Sequence, residues 1–347
     1  MGYGLMDLKT LCELEGLSGR EEAVRKAVMD VCTQKLGKAA VTLDGVGSVI
    51  AVRPAKNPAL PRVLIAAHMD EVGLFVLSAT DEGLLRFTGG GGIDARVLIS
   101  KRVKVGYGEN AIPGVIGSPP IHLQSADDGD TAPKITSLTI NIGARDKAEA
   151  ESKAPIGTPV TFDTPYTPFG DGYVCAKALD DRVGVYNLLR LLDAPYDGEL
   201  TFGFTTQEEA GLRGSTAAGF KVQPEIGIAL EGTTANDLGD TPDALQVCVP
   251  GKGPCVSFMD YASIADRGLF KLALAAGEAE GIPHQVKKFV AGGNDAGAIQ
   301  RAGAGAKTIV LSVPCRNIHS PSSVCCLRDV DNQYLLAKAT LARLMKG

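Results

Sequence analysis

Four short apolar runs in this chain each end in a side chain able to bind a cation or move a proton. Val63–Ala67 runs into His68 and Asp70, Leu200–Thr205 into Glu208 and Glu209, and Ile226–Leu230 into Glu231. Thr308–Val313 leads, after a short loop, to His319. Runs of this length and composition read as buried strands. In an open α/β sheet, ligands gather beyond the carboxyl ends of the strands. Four separate strands would therefore deliver imidazoles and carboxylates to one edge. Asp180, at the start of a predicted helix, joins them as a further candidate ligand.

The candidate metal ligands His68, Asp180, Glu209, Glu231 and His319 offer nitrogen and oxygen and no thiolate, which suits zinc first, with cobalt and manganese as alternatives. They are too many for one tetrahedral catalytic zinc with an open position. They suit two divalent ions sharing a bridging carboxylate, which together can activate a water and stabilise the tetrahedral intermediate of amide hydrolysis. Asp70, two residues after His68, can accept the other ring N–H and fix the tautomer. In the pair Glu208–Glu209, one carboxylate would bind metal and the other act as general base, its pKa raised by burial. Each piece has a plainer reading. A histidine satisfied by Asp70, a solvated Glu–Glu at a strand end, an Asp180–Asp181 helix cap, a solvated Glu231 and a turn His319 are all ordinary. Two details favour function at the glutamates: TTQEEAGLRGS follows an apolar strand directly, and Gly211 and Gly214 permit close backbone approach. His284 reads as structural and His122 as a loop residue. The eight cysteines form no CxxC pair and read as reduced thiols.

The elements that must position these residues span 347 positions, long for one core. Residues 5–15 look helical. Ser18-Gly-Arg-Glu21 reads as a capping box opening a helix with Val24, Val28, Val31 and Cys32 on one face. Residues 40–52 read as a hairpin around Asp44-Gly45. From residue 71 to 165, glycine and proline become frequent and short β-like pieces replace helices. ADDGDTAPK (126–134) reads as an exposed loop, and Gly89–Gly92 is too weak a pattern for phosphate binding. Strand and helix then alternate again, with helices over 268–280, 295–301 and the last 18 or so residues. The expected fold is α/β, a mostly parallel central sheet flanked by helices. Its catalytic domain is discontinuous, residues 1–70 and 166–347, with a β-rich insert at 71–165.

AAHMDEVG (66–73), KALDDRVG (177–184), TTQEEAGLRGS (205–215), GGNDAGAIQ (292–300) and IHSPSS (318–323) together resemble metallopeptidase family 42, the glutamyl and tetrahedral (TET) aminopeptidases, some of which carry the older label cellulase M or endoglucanase. The resemblance covers nearly the whole chain, in the family's order. It implies a dinuclear-zinc-peptidase-like fold with a small β-barrel or PDZ-like insert, and hydrolysis of the N-terminal bond of short peptides. It implies that Asp180 bridges two divalent ions, with His68 and Glu231 on one and Glu209 and His319 on the other. Glu208 would be the general base, Asp70 would orient His68, and Asp180–Asp181 would be a cis peptide. It also implies self-assembly, since the family's insert helps build twelve-subunit hollow tetrahedra. Glu231 departs from the Asp of many members, and Asn294 and Cys315 each stand where Thr is common; all three bear on metal choice or specificity.

The net charge of −5 opposes a sequence-independent nucleic-acid binder. No apolar run is long enough for a membrane span, and the N-terminus has no apolar signal core, so a cytoplasmic protein is expected, and the resemblance implies that it acts on peptides. Two other classes compete. A glycoside hydrolase would need carboxylates facing each other across a sugar and would leave the histidines idle; a chain without tryptophan also lacks the stacking platforms long glycans favour. A non-enzymatic shell protein of the same fold would need no intact ligand set.

Overall fold

The computed structural model describes residues 6–118, 120, 122 and 132–345; most of the loop expected at 126–134 lies outside them. In chain order the elements are α1 (Leu8–Glu13), α2 (Glu22–Leu36), β1 (Val41–Leu43), β2 (Val49–Arg53), β3 (Val63–His68), β4 (Gly73–Ala79), β5 (Leu85–Gly90), β6 (Arg102–Val105), β7 (Ile112–Gly117), β8 (Thr139–Asn141), α3 (Lys147–Lys153), β9 (Pro159–Phe162), β10 (Thr167–Phe169) and β11 (Tyr173–Ala176). They continue with α4 (Leu179–Leu191), β12 (Leu200–Thr205), α5 (Arg213–Val222), β13 (Ile226–Thr234), β14 (Cys255–Ser257), α6 (Arg267–Ala279), β15 (Gln285–Val286), α7 (Asp295–Arg301), β16 (Lys307–Arg316), β17 (Ser323–Cys326) and α8 (Leu327–Leu344).

The main sheet runs β1-β2-β12-β3-β13-β16-β17-β11-β10, with β14 attached to β16 and β15 to β14. Its centre, β12-β3-β13-β16, is parallel, and antiparallel strands flank it on both sides. The central strands are buried on both faces, as a parallel sheet requires. Alternate residues divide between two apolar layers. Val63, Ile65, Ala67, Ile228, Leu230, Ile309 and Leu311 pack with α2, α4, α6 and α8. Leu64 and Ala66 meet Ile299 of α7, and Ala229 and Val310 meet Ala296.

Strands β4 to β9 close a separate six-stranded barrel in the order β4-β5-β8-β7-β6-β9. It has its own apolar cluster, including Leu74, Phe87, Ile116, Ile140 and Phe162. The chain enters it directly after Asp70 and Glu71, so the barrel begins at the sheet edge that carries His68.

The capping box does not form. Ser18 Oγ donates instead to Asp70 Oδ2 at 2.6 Å, and Glu21 Oε1 accepts from the backbone N–H groups of Gly19 (2.7 Å) and Gln207 (3.1 Å). Both polar groups are turned inward, and α2 begins at Glu22 without a side-chain cap. Its buried face is Val24, Val28 and Cys32; Val31 is only half-buried.

A buried ionic knot ties the chain's start to this edge. Lys177 Nζ lies 2.7 Å from Glu71 Oε1 and donates to the Leu14 carbonyl at 2.8 Å. Glu71 Oε1 also accepts from the Gly16 N–H, and Arg182 Nε donates to the Met69 carbonyl at 2.9 Å. Lys177→Met is expected to destabilise the fold by about 3–5 kcal/mol, because it strands the Glu71 carboxylate in the interior. Denaturant unfolding at fixed metal content measures this; a loss under 1 kcal/mol would show that Arg182 alone satisfies Glu71.

Candidate active site

His68 is the last residue of β3 and is buried. Its Nδ1 lies 3.2 Å from the Asp70 carbonyl and 3.4 Å from Asp70 Oδ1, so the nearer acceptor is backbone rather than carboxylate. Either contact holds the proton on Nδ1 and leaves the Nε2 lone pair for the cleft. Asp70 also organises the glutamate pair: its Oδ1 accepts from the Glu208 N–H at 3.0 Å and its Oδ2 from the Glu209 N–H at 3.1 Å.

His319 follows β16 by three residues. Its Nδ1 lies 2.9 Å from the Gly92 carbonyl, on the segment just beyond β5, so the barrel fixes this ring. The glycine run 89–92 thus has a structural use: Gly92 holds His319, and a Cβ on Gly91 would press on Glu209 at 3.3 Å. Of the glycines after the glutamates, Gly214 allows close approach, since a Cβ there would collide with the Thr206 backbone; Gly211 faces open space and is suited instead to its φ of 111°. Ala178, Gln207 and His319 hold left-handed backbone at φ 56°, 54° and 55°. Non-glycine residues rarely adopt this conformation, and it concentrates at functional sites.

Glu231 lies inside β13, which runs on to Thr234, rather than at a strand end; it is buried opposite Ser312 in the register with β16. Asp180 and Asp181 are joined by a cis peptide and both have non-helical backbone; Asp181 caps the helix through the Gly184 N–H, as expected of one of the pair, whereas Asp180 makes no such bond.

These side chains converge. His68 Nε2 lies 3.5 Å from Asp180 Oδ1, 3.7 Å from Glu231 Oε2 and 4.0 Å from Glu208 Oε2. His319 Nε2 lies 3.5 Å from Asp180 Oδ2 and 3.5 Å from Glu209 Oε1. Donor atoms of His68, Asp180 and Glu209 fall within 4.8 Å of one another, as do those of His68, Asp181 and Glu231. Asp181 is nonetheless occupied: its Oδ1 accepts from the Gly184 N–H at 3.0 Å and its Oδ2 from the His68 N–H at 3.2 Å. Asp180 Oδ1 is buried with no hydrogen-bond partner.

So many carboxylates in one buried place cannot all stay charged unaided. Burial, with Asp295 and Glu209 nearby, lifts the Glu208 carboxyl well above the usual range. Burial and Asp181 do the same to Glu231, and burial with Asp180 brings Glu209 to about 7. Burial opposes charge on His319, but Asp180 and Glu209 raise it to about 9. Asp180 goes the other way: burial raises it, yet its contacts with His319 and His68 hold it well below the normal value. A surplus of anionic donors around two imidazoles is the chemistry of a cation site.

Asp295 reads in the sequence as a residue opening a helix, but Asn294 does the capping, accepting from the Ala296 N–H at 3.1 Å. Asp295 is thereby free to turn inward, where it accepts from the Thr205 hydroxyl, while its N–H donates to Glu231 Oε1 at 3.3 Å. The adjacency of Asn and Asp was the available signal. His284 is structural as expected, its Nδ1 lying 2.8 Å from the Ile282 carbonyl, and His122 is exposed. The cluster opens into a cleft of about 360 Å³ lined by His68, Asp180, Glu208, Glu231, Lys287 and His319, among others.

A mixed α/β sheet with an inserted barrel and an imidazole–carboxylate cluster at its carboxyl edge is the architecture of a metallopeptidase. The chain belongs to the M42 glutamyl aminopeptidase family, whose model matches residues 47–336. It is 33% identical to a lysyl aminopeptidase of Pyrococcus furiosus over 97% of this chain and 96% of that protein. Among solved structures, an aminopeptidase from the archaeon Desulfurococcus kamchatkensis superposes with a TM-score of 0.91 at 31% identity, covering 97% of this chain and 94% of that one. The TET1 peptidase of Pyrococcus horikoshii, which can assemble into a tetrahedron or a large octahedral shell, gives 0.81 at 31% identity, covering 96% and 97%. The protein is therefore a peptide-bond hydrolase, and its family implies divalent metal ions. No helix among the described residues is long and apolar enough to cross a membrane.

Proposed function

We propose that the protein is a dinuclear aminopeptidase that removes the N-terminal residue of short peptides. One observation carries the reading: the two oxygens of Asp180 each face a different imidazole Nε2 at 3.5 Å, and a further carboxylate flanks each imidazole. This makes two half-sites sharing Asp180, with His68 and Glu231 on one side and His319 and Glu209 on the other. The residues fit two divalent ions. Asp180 Oδ1 lacks any other partner, and Gly232 leaves it room, since a Cβ there would stand 2.8 Å away. Zinc suits the donors first, with cobalt or manganese as alternatives.

When bound, such ions supply Lewis-acid charge to the scissile carbonyl and lower the pKa of the attacking water. Glu208 takes the proton at its carboxylate and delivers it to the leaving amine nitrogen. A general base works best with a pKa near the working pH, and burial moves Glu208 upward from the usual carboxylate range. Asp70 positions the pair by holding both backbone N–H groups and the His68 ring.

We further propose that residues 71–165 form an assembly and access domain while 1–70 and 166–347 form the catalytic one. The barrel's separate core and the TET1 shells support this, with a homo-oligomer up to a dodecamer as the expected state. The eight free thiols fit the reducing cytoplasm expected for it.

Chelation is expected to lower hydrolysis of amino-acyl anilides by about 10³-fold, with recovery on adding zinc, cobalt or manganese. N-acetylated peptides should resist the reconstituted protein. Efficient cleavage of blocked peptides, or full activity after metal removal, would overturn the reading.

A further inference from the structure

We infer that Glu21 is a positioning residue for the general base: its carboxylate fixes the turn that aims Glu208 into the cleft. This rests on the reading of Glu208 as the proton acceptor. Strand β12 ends at Thr205, and directly afterwards the chain must set Glu208 toward His68 and Glu209 toward His319. It does so through Gln207, whose backbone is left-handed at φ 54°. A glutamine is strained there where a glycine is not, and such strain persists only if the surroundings hold it.

Successive N–H groups of this turn, those of Gln207, Glu208 and Glu209, each donate to a carboxylate. N–H groups gathered around a left-handed residue make an anion-binding concavity. Asp70 takes the second and third, and Glu21 Oε1 takes the first at 3.1 Å, from 186 positions away. The Thr206–Gln207 peptide is thereby anchored by Glu21 and the Gln207–Glu208 peptide by Asp70, so the conformation of Gln207 is set between two fixed planes. The segment carrying Glu21 is itself pinned. Ser18 Oγ donates to Asp70 Oδ2, and the Leu17 N–H donates to the hydroxyl of Tyr107, in the barrel, at 2.9 Å. Local structure gives Glu21 little else to do. It is fully buried and, besides accepting from the Gly19 N–H, makes no capping bond to α2. Its Oε2 has no hydrogen-bond partner and lies 3.5 Å from an Arg25 nitrogen. A buried carboxylate so poorly satisfied destabilises a fold, yet the N–H it holds stands one residue before the general base.

A plainer role is open to the same residue: Glu21 could simply fill the space between α2 and the turn. Kinetics separates the two, measured on the metal-loaded protein with the amino-acyl p-nitroanilide that the wild type cleaves fastest. Glu21→Ala is expected to lower kcat about 10- to 100-fold, the effect of a misplaced reacting group. KM and metal content should stay near the wild-type values, because Asp70 still holds the Glu209 N–H. Adding Gln207→Gly to Glu21→Ala is expected to restore kcat by about fivefold or more, since glycine takes the left-handed turn without being held there. Glu21→Gln keeps an amide oxygen for the Gln207 N–H and should retain kcat within about threefold. A Glu21→Ala kcat within about twofold of wild type would overturn the assignment. So would a loss that Gln207→Gly fails to relieve, or one that follows metal content. If Glu21→Ala does not fold, Glu21→Asp, which keeps the charge but withdraws the oxygen by one methylene, carries the same test with and without Gln207→Gly. The reading of Glu208 stands or falls separately. An active Glu208→Gln takes down both, whereas an inactive Glu208→Gln beside a fully active Glu21→Ala removes this inference alone.

Discussion

Glu208→Gln is expected to reduce kcat by about 10²- to 10⁴-fold while the metal content stays at the wild-type level. The substitution preserves shape and hydrogen-bonding length but removes the group that accepts the water's proton. Glu208 Oε2 is 4.0 Å from His68 Nε2, farther than the carboxylates assigned to hold metal, and its side chain faces the cleft. Its backbone N–H is held by Asp70 whichever side chain stands there. KM should therefore change little compared with kcat, the pattern expected when an interaction made only in the transition state is lost. Steady-state kinetics with metal analysis on the same sample checks both halves. A variant that loses metal in step with activity would make Glu208 a ligand. A variant that retains most activity would move the proton transfer elsewhere, with Asp295 a buried candidate beside it, its carboxyl also raised by burial.

The strands that deliver His68, Glu209, Glu231 and His319 were readable because a buried parallel strand is a short unbroken apolar run, and each run here ends where the chemistry begins. Helix α7 and the start of β3 were also legible from composition. On one flank the hairpin expected at 40–52 is present as β1 and β2; the antiparallel strands of the other flank were not legible, since β10, β11 and β17 are short and carry no strong alternation. The hidden parts of the site share a cause. Ser18 and Glu21 satisfy a local capping pattern, so nothing in the sequence shows that both turn inward to Asp70 and Gln207. Likewise, Gly92 reaches His319 across 227 positions, and no local pattern can report such a partner. Residue type found the donors; only tertiary packing decides which polar group each of them faces.

Asp180→Ala is expected to empty both half-sites at once, taking bound metal from about two ions per chain to below one and abolishing measurable hydrolysis. Glu231→Ala and His319→Ala should each weaken mainly one half-site, because each lies on one side of Asp180. The asymmetry follows from geometry: Asp180 alone among these carboxylates sets one oxygen toward His68 and the other toward His319. Loss of metal by misfolding is separable from loss of a ligand. In the metal-free state Asp180 is the carboxylate that both imidazoles favour, so metal-free Asp180→Ala is expected to melt somewhat below metal-free wild type, and the shift produced by zinc is what reports the ligand. Added zinc should raise the melting temperature of the wild type, which binds it in the folded state, and leave the variant nearly unmoved. Metal counting by elemental analysis alongside melting with and without zinc reads all three quantities. Two ions retained per chain in Asp180→Ala would rule out the bridge. A variant whose melting temperature still rises with zinc as much as that of the wild type would do the same.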